Sequence, residues 1–189
     1  KIENYIKSSK RKIIWVGNGA KFATEEVNLF IKMGFAVVTS TQGRGVVSET
    51  NKMCLGAFNA VPLIEEFYKT LDLMLVVGSR LRGHETRDMS LELPKNLVQI
   101  DIDPRAKNRT YKTNQFHCGD AKKVLGELAK RLAGKISVDN EWIDEVSDLK
   151  NQIYLSYSTN HKFFLGFLQT SLIILILLKS INENFRNFS

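Results

Sequence analysis

The chain has 189 residues, 43% of them hydrophobic and 25% charged. That length holds one ordinary domain with some extra chain, and that balance excludes wholesale disorder. The net charge of +7 comes from scattered basic residues, with no basic–aromatic interleaving, which argues against nucleic acid as a partner and for a solvated basic surface.

The chain opens on Lys1 rather than Met, which points to processing or to a piece of something longer. Residues 1–12 read as a basic lead-in with no apolar run of the secretory kind, so a cytoplasmic location is expected. Ile13 to Val16 is a short apolar strand ending at Gly17-Asn18-Gly19. Ala20 to Met33 reads as a helix, with Ala23, Val27, Phe30 and Ile31 on one face and Gly34 as its stop. Phe35 to Thr39 is a second strand, and Gln42 to Gly45 a loop. Pro62 suits the first turn of a helix that turns Leu63, Ile64 and Phe67 inward. Leu73 to Val77 is a third strand, apolar throughout and followed by Gly78. Asn96 to Ile102 is a fourth, and Phe116 to Cys118 a short fifth. Asp120 is placed to cap a helix from Ala121 to about Leu132, where the core is expected to be complete.

Continuous apolar strands are buried on both faces, and strands alternating with helices are joined by crossovers. The fold class that follows is α/β: a doubly wound parallel sheet of five to six strands with helices on both faces, Rossmann-like. The polar and glycine-rich turns fall after strands, on the edge where such sheets bind ligands.

Residues 134–157 turn acidic around Trp142, Ile143 and Val146 and read as a linker leading into a short amphipathic helix. Residues 158–189 are an apolar tail of another character. From Asn151 onward there is no Ala, Val, Asp or Pro, and Glu183 is the sole acid. The stretch 163–178 is mostly apolar but is interrupted by Gln169, Thr170 and Ser171, and it falls short of the about 20 apolar residues of a usual membrane span. Three readings stay open for it: a frameshifted tail, a membrane anchor and a packing helix.

Cys54 and Cys118 are far apart and read as reduced core residues. His84, His117 and His161 are isolated, so no metal site is expected. No Ser-His-Asp or Cys-His set and no paired carboxylates suggest a catalytic residue.

The turns carry what chemistry there is. Gly17-Asn18-Gly19 is half of a dinucleotide fingerprint, in which glycines let a phosphate approach the N-terminus of the following helix; a plain strand–helix turn is the other reading. The third fingerprint glycine would fall at Phe22, and Ser40 and Thr41 stand where a ribose-binding acid should end the second strand, which argues against ordinary NAD binding. Arg80, in Gly78-Ser79-Arg80, can meet a phosphate, or Arg80 and Arg82 can pair with Glu85 or Asp88. Asp101 and Asp103 can accept ribose hydroxyls, or Asp103 can cap the turn at Pro104.

The segments KIIWVGNGA, GFAVVTSTQGRGVV, LGAFN, LDLMLVVGSRLRG, LVQIDIDP and CGDAKKVLGELAKRL, in this order, resemble the central domain of thiamine-diphosphate enzymes of the acetolactate synthase type and their decarboxylase relatives. The similarity runs from about Lys12 to Leu132, so residues 13–133 are identified as that domain. The resemblance implies a three-domain parent, a homodimer or homotetramer, whose outer domains bind thiamine diphosphate and magnesium. It implies a chain cut before the last catalytic domain and inactive alone, and a central domain that carries FAD, ADP or nothing. By position, the flavin-contacting turns fall on Gly17, Asn18 and Gly19, on Thr41 and Gln42, on Leu55, Gly56 and Ala57, on Gly78, Ser79 and Arg80, on Asp101 and Asp103, and on Asp120. Asn18 stands where the synthases show glycine, and Leu81 and Arg82 where they show paired aspartates. The competing reading is a free-standing nucleotide-binding module, tethered to a membrane by its tail.

Overall fold

A computed structural model describes residues 1–157. Five parallel strands form one sheet: β1 (Lys12–Val16), β2 (Phe35–Thr39), β3 (Leu73–Val77), β4 (Leu97–Asp101) and β5 (Gln115–Cys118). Their spatial order is β2-β1-β3-β4-β5. In register, Ile14 lies between Val37 and Leu75, and Val98 lies between Leu75 and Gln115. β1 through β4 are buried at every position, as their unbroken apolar runs require, whereas the edge strand β5 is not.

Alternate residues of the strands face opposite layers. Ile14, Val16, Val37, Leu75 and Val98 share a core with Val27 and Phe30 of α2 (Thr24–Lys32) and with Leu125, Leu128 and Leu132 of α4 (Ala121–Leu132). On the other layer Trp15 meets Tyr68 of α3 (Pro62–Lys69), their ring centroids 6.4 Å apart. Asp120 caps α4 by accepting from Lys123 N at 3.0 Å, as its position predicts. The doubly wound α/β reading therefore stands, with five strands.

Four expectations are corrected. The basic lead-in contains a helix, α1 (Ile2–Ser8), which buries Ile2 and Ile6 in the core at i, i+4 spacing. The helix expected from Ala20 starts only at Thr24, after a 3-10 turn over Asn18–Ala20. Cys118 is exposed near the end of the edge strand, unlike buried Cys54. The core is not complete at Leu132: residues 140–150 are helical, and they bury Trp142 and Val146. Trp142 donates through Nε1 to Gly34 O at 2.8 Å and stacks on Phe67 with centroids 5.5 Å apart.

The chain divides into two units, Lys1–Lys150 and Asn151–Ser189. Of the second, residues 151–157 are described and are helical. The apolar stretch 163–178 lies outside the described residues. Among the described residues no helix is long and apolar enough to cross a membrane.

Candidate functional site

β1 runs on to β2 on one side, whereas β3 and β4 lie on the other, so the crossovers part between β1 and β3. Open parallel sheets bind ligands at the carboxyl ends of the strands flanking such a switch point. A cavity of about 440 Å³ lies there, lined by Asn18, Gly19, Ser40, Gln42, the loop Gly78–Arg82, Glu85 and Asp101 to Asp103.

Its floor is made of backbone. Gly17 N donates to Val77 O at 2.9 Å and Gly19 N to Gly78 O at 3.0 Å. A Cβ on Gly17 would stand 2.3 Å from Gly78 O, and one on Gly19 would stand 2.8 Å from Gly78 Cα. Gly78 itself has φ +59° and would bring a Cβ within 2.6 Å of Gly19. These glycines are required so that the loops after β1 and β3 can touch. The expectation that Gly17–Gly19 offers free helix N–H groups to a phosphate is corrected on the same ground. The N–H groups of Gly17 and Gly19 are spent on the neighbouring loop, Ala20 N is spent on Gly17 O, and α2 begins later.

The charged groups converge from β3 and β4. Arg80 Nη2 lies 3.3 Å from Asp103 Oδ2, so its partner is Asp103 rather than Glu85 or Asp88. Asp103 Oδ1 accepts from Arg105 N at 3.0 Å and from Arg105 Nε at 2.9 Å, which both caps the turn at Pro104 and ties down the carboxylate. These bonds, Arg105's first and Arg80's charge after them, hold the Asp103 carboxyl below the ordinary aspartate range. Asp101 is buried and accepts from Asp103 N at 2.9 Å through Oδ1. Arg80 O accepts from Thr110 Oγ1 at 2.8 Å, and Ser79 O from Gln99 Nε2 at 3.0 Å, so the loop is held from beneath while the Arg80 side chain stays exposed.

On the β2 side, Ser40 Oγ accepts from Gly43 N at 2.9 Å, and Thr41 N donates to the Glu85 carboxylate. That bond ties the turn after β2 to the loop after β3, and neither residue suggests it in isolation. Asp120 sits beside the cavity, sharing a small hollow of about 50 Å³ with Gly19, Gly78 and Asp101. Leu55, Gly56 and Ala57 do not line it. They run along the outer side of β2, where Leu55 N donates to Val37 O at 2.8 Å and Thr39 N to Gly56 O at 3.0 Å. Ile102, 70% exposed, is the apolar lining residue that residue-type reasoning missed; its exposure between two aspartates appears only once β4 is seen to end at Asp101. Among the described residues no group of three or more His, Cys, Asp and Glu side chains is gathered as a metal site.

A family model described as "Thiamine pyrophosphate enzyme, central domain" matches residues 1–128. A probable acetolactate synthase large subunit of Methanococcus aeolicus is 28% identical over 161 residues, covering 77% of this chain and 27% of that protein. Acetolactate synthase 1, chloroplastic, of Zea mays is 25% identical, covering 82% of this chain and 25% of its own. A probable 2-ketoarginine decarboxylase of Pseudomonas aeruginosa is 29% identical, with 66% of this chain and 22% of its own covered. The chain spans about a quarter of the length of these relatives.

Proposed function

The chain belongs to the central-domain family of thiamine pyrophosphate enzymes, and from that premise we propose that it is the middle part of an acetolactate synthase-like enzyme that joins or cleaves carbon–carbon bonds beside the carbonyl of 2-oxo acids. Thiamine diphosphate and magnesium belong to the remaining domains of this parent, a cytoplasmic homodimer or homotetramer. The described residues gather no donor set that fits magnesium, so no step is assigned to them through that ion. The domain spans residues 1–150 in this proposal, and its own role is structural or nucleotide-binding, without turnover alone.

The observation that carries a binding role is the cavity at the switch point, where Arg80, Asp101 and Asp103 meet the Gly17–Gly19 and Gly78 turns. The ligand that suits it is ADP or the adenine end of FAD. Arg80 would leave Asp103 to meet a phosphate, and the buried Asp101 carboxylate would accept a ribose hydroxyl. Gln42, Asn18 and Ser79 would contact the ligand from the rim, Asp120 from the adjoining hollow, and Thr41 through its tie to Glu85. Leu55, Gly56 and Ala57 would act by fixing the end of β2.

Calorimetric titration of the chain with ADP and with FAD tests the reading. Micromolar to millimolar affinity is expected for one arginine and bare backbone. Arg80→Ala should weaken binding by about 1.5–3 kcal/mol. Absence of binding for both ligands at millimolar concentration would leave the domain a purely structural spacer. Turnover of pyruvate with thiamine diphosphate and magnesium by the purified chain would overturn the division of labour.

A further inference from the structure

A second cavity lies at the other edge of the sheet, where the parallel strands begin. Ser9 to Lys12 precede or open β1 there, Gly34 precedes β2, and residues 135–142 close over them. The cavity measures about 390 Å³. Its walls carry four lysines from three segments: Lys7 on α1, Lys10 before and Lys12 at the start of β1, and Lys135 after α4.

Lys12 sets the chemistry. It is 4% exposed, and its ammonium donates to Ser9 O at 3.1 Å, with Lys10 O at 3.5 Å. Neutral carbonyls orient a buried ammonium but do not neutralise it. Among the described residues Lys10, Lys12 and Lys135 make no ion pair, and Lys7 lies 4.0 Å from Glu3. Asp72 is near enough to favour the charged Lys12, but desolvation outweighs it and lowers the pKa of that group. The sole carboxylate in the wall is Asp139, and its Oδ1 already accepts from Glu141 N at 3.0 Å. Setting aside Lys7, which has Glu3, three wall lysines without an ion pair share one carboxylate, and the excess is relieved by an anion carrying two or more charges.

We propose that this cavity binds a phosphate-bearing small molecule. Lysines act as separate point charges on flexible stems, which suits the several oxygens of a phosphoryl group better than a planar carboxylate, the natural partner of an arginine fork. The volume falls within the about 300–1,000 Å³ of small-ligand sites, more than a bare anion requires. Ile6, Ile136 and Trp142 supply apolar wall for the rest of the molecule. This site is independent of the carboxyl-edge cavity.

The test is a titration of the isotopically labelled 189-residue chain, first with inorganic diphosphate and then with ribose 5-phosphate, followed by amide shifts. Saturable shifts at residues 8–12 and 135–142, separate from any at the Arg80 cavity, are expected with at least one probe. Lys10→Glu combined with Lys135→Glu, both at exposed positions, should weaken that binding about tenfold or more at unchanged melting temperature. Arg80→Ala should leave it unchanged, which separates this site from the nucleotide reading. Tighter binding of the ester identifies a phosphorylated organic ligand, and tighter binding of diphosphate identifies the free anion. No saturable shift at millimolar concentration, shifts at the Arg80 cavity alone, or affinity indifferent to the lysine pair would each overturn the proposal.

Discussion

At the carboxyl edge of the sheet two loops meet backbone to backbone, with Gly17 N on Val77 O and Gly19 N on Gly78 O. At the amino edge the segment after α4 is held by side chains. Trp142 stacks on Phe67 and donates to Gly34 O, and the Arg11 guanidinium lies 4.7 Å from the Trp142 ring centroid while pairing with Glu145. The first contact depends on the absence of side chains and has no slack. The second is assembled from several partners and should weaken in steps. Substitutions at the two edges should therefore differ in size and in gradation.

The largest effect is expected at the glycines. In Gly17→Ala the new methyl would sit 2.3 Å from Gly78 O and 2.6 Å from Ser79 Cβ. The obstacle is mostly backbone rather than a flexible side-chain end, so relief requires parting β1 from β3. A loss of more than about 4 kcal/mol is expected in urea unfolding, at the severe end of overpacking effects. A loss under about 1 kcal/mol would show that the loops are not so closely apposed in solution.

The tryptophan brace should answer in stages. Trp142→Ala removes the stack, the hydrogen bond and a buried ring, and should cost about 3 kcal/mol. Trp142→Phe keeps a ring over Phe67 but leaves Gly34 O unpaired, and should cost about 1 kcal/mol. If the two variants are equally unstable, the hydrogen bond to Gly34 dominates and the stack contributes little.

These two edges also differ in how far the sequence reveals them. The strands are legible because burial on both faces forces unbroken apolar runs, and Leu73–Val77 needs no other signal. Arg80, Asp101 and Asp103 are legible as neighbours because each ends or follows a strand of one parallel sheet. The function of Gly17–Gly19 is not: a glycine that admits a phosphate and a glycine that admits another loop look alike until the loop is seen. Leu55–Ala57 fall outside the cavity lining, since position along the chain does not say which side of β2 a loop takes. The amphipathic helix around Trp142 and Val146 is legible, but its acids make it read as part of a linker, so its docking into the core is not. Dilution by charge likewise hides Ile2 and Ile6 among the lysines of the lead-in.

The smallest effect, and the finest test of the brace, concerns Arg11 and Glu145. Arg11 Nη1 and Nη2 each lie 2.6 Å from a Glu145 carboxylate oxygen, a bidentate pair. The two side chains are 30% and 46% exposed, so solvent screening keeps the coupling at about 0.5–1 kcal/mol despite the geometry. Hydrogen bonding from Arg11 holds the Glu145 carboxyl below the ordinary glutamate value of 4.5, and Arg11 is in turn raised and stays protonated. A carboxyl whose pKa is lowered by folding contributes stability that is complete above its unfolded value. That contribution fades as pH falls through the lowered folded value. A double-mutant cycle with Arg11→Met and Glu145→Gln should therefore give the full coupling at neutral pH and almost none in acid, once Glu145 is protonated. Arg11 also lies against Trp142 and donates to Thr70 O and Thr70 Oγ1, so Arg11→Met alone should cost more than Glu145→Gln alone. A coupling that survives in acid would mean that the pair is held by packing around Trp142 rather than by charge.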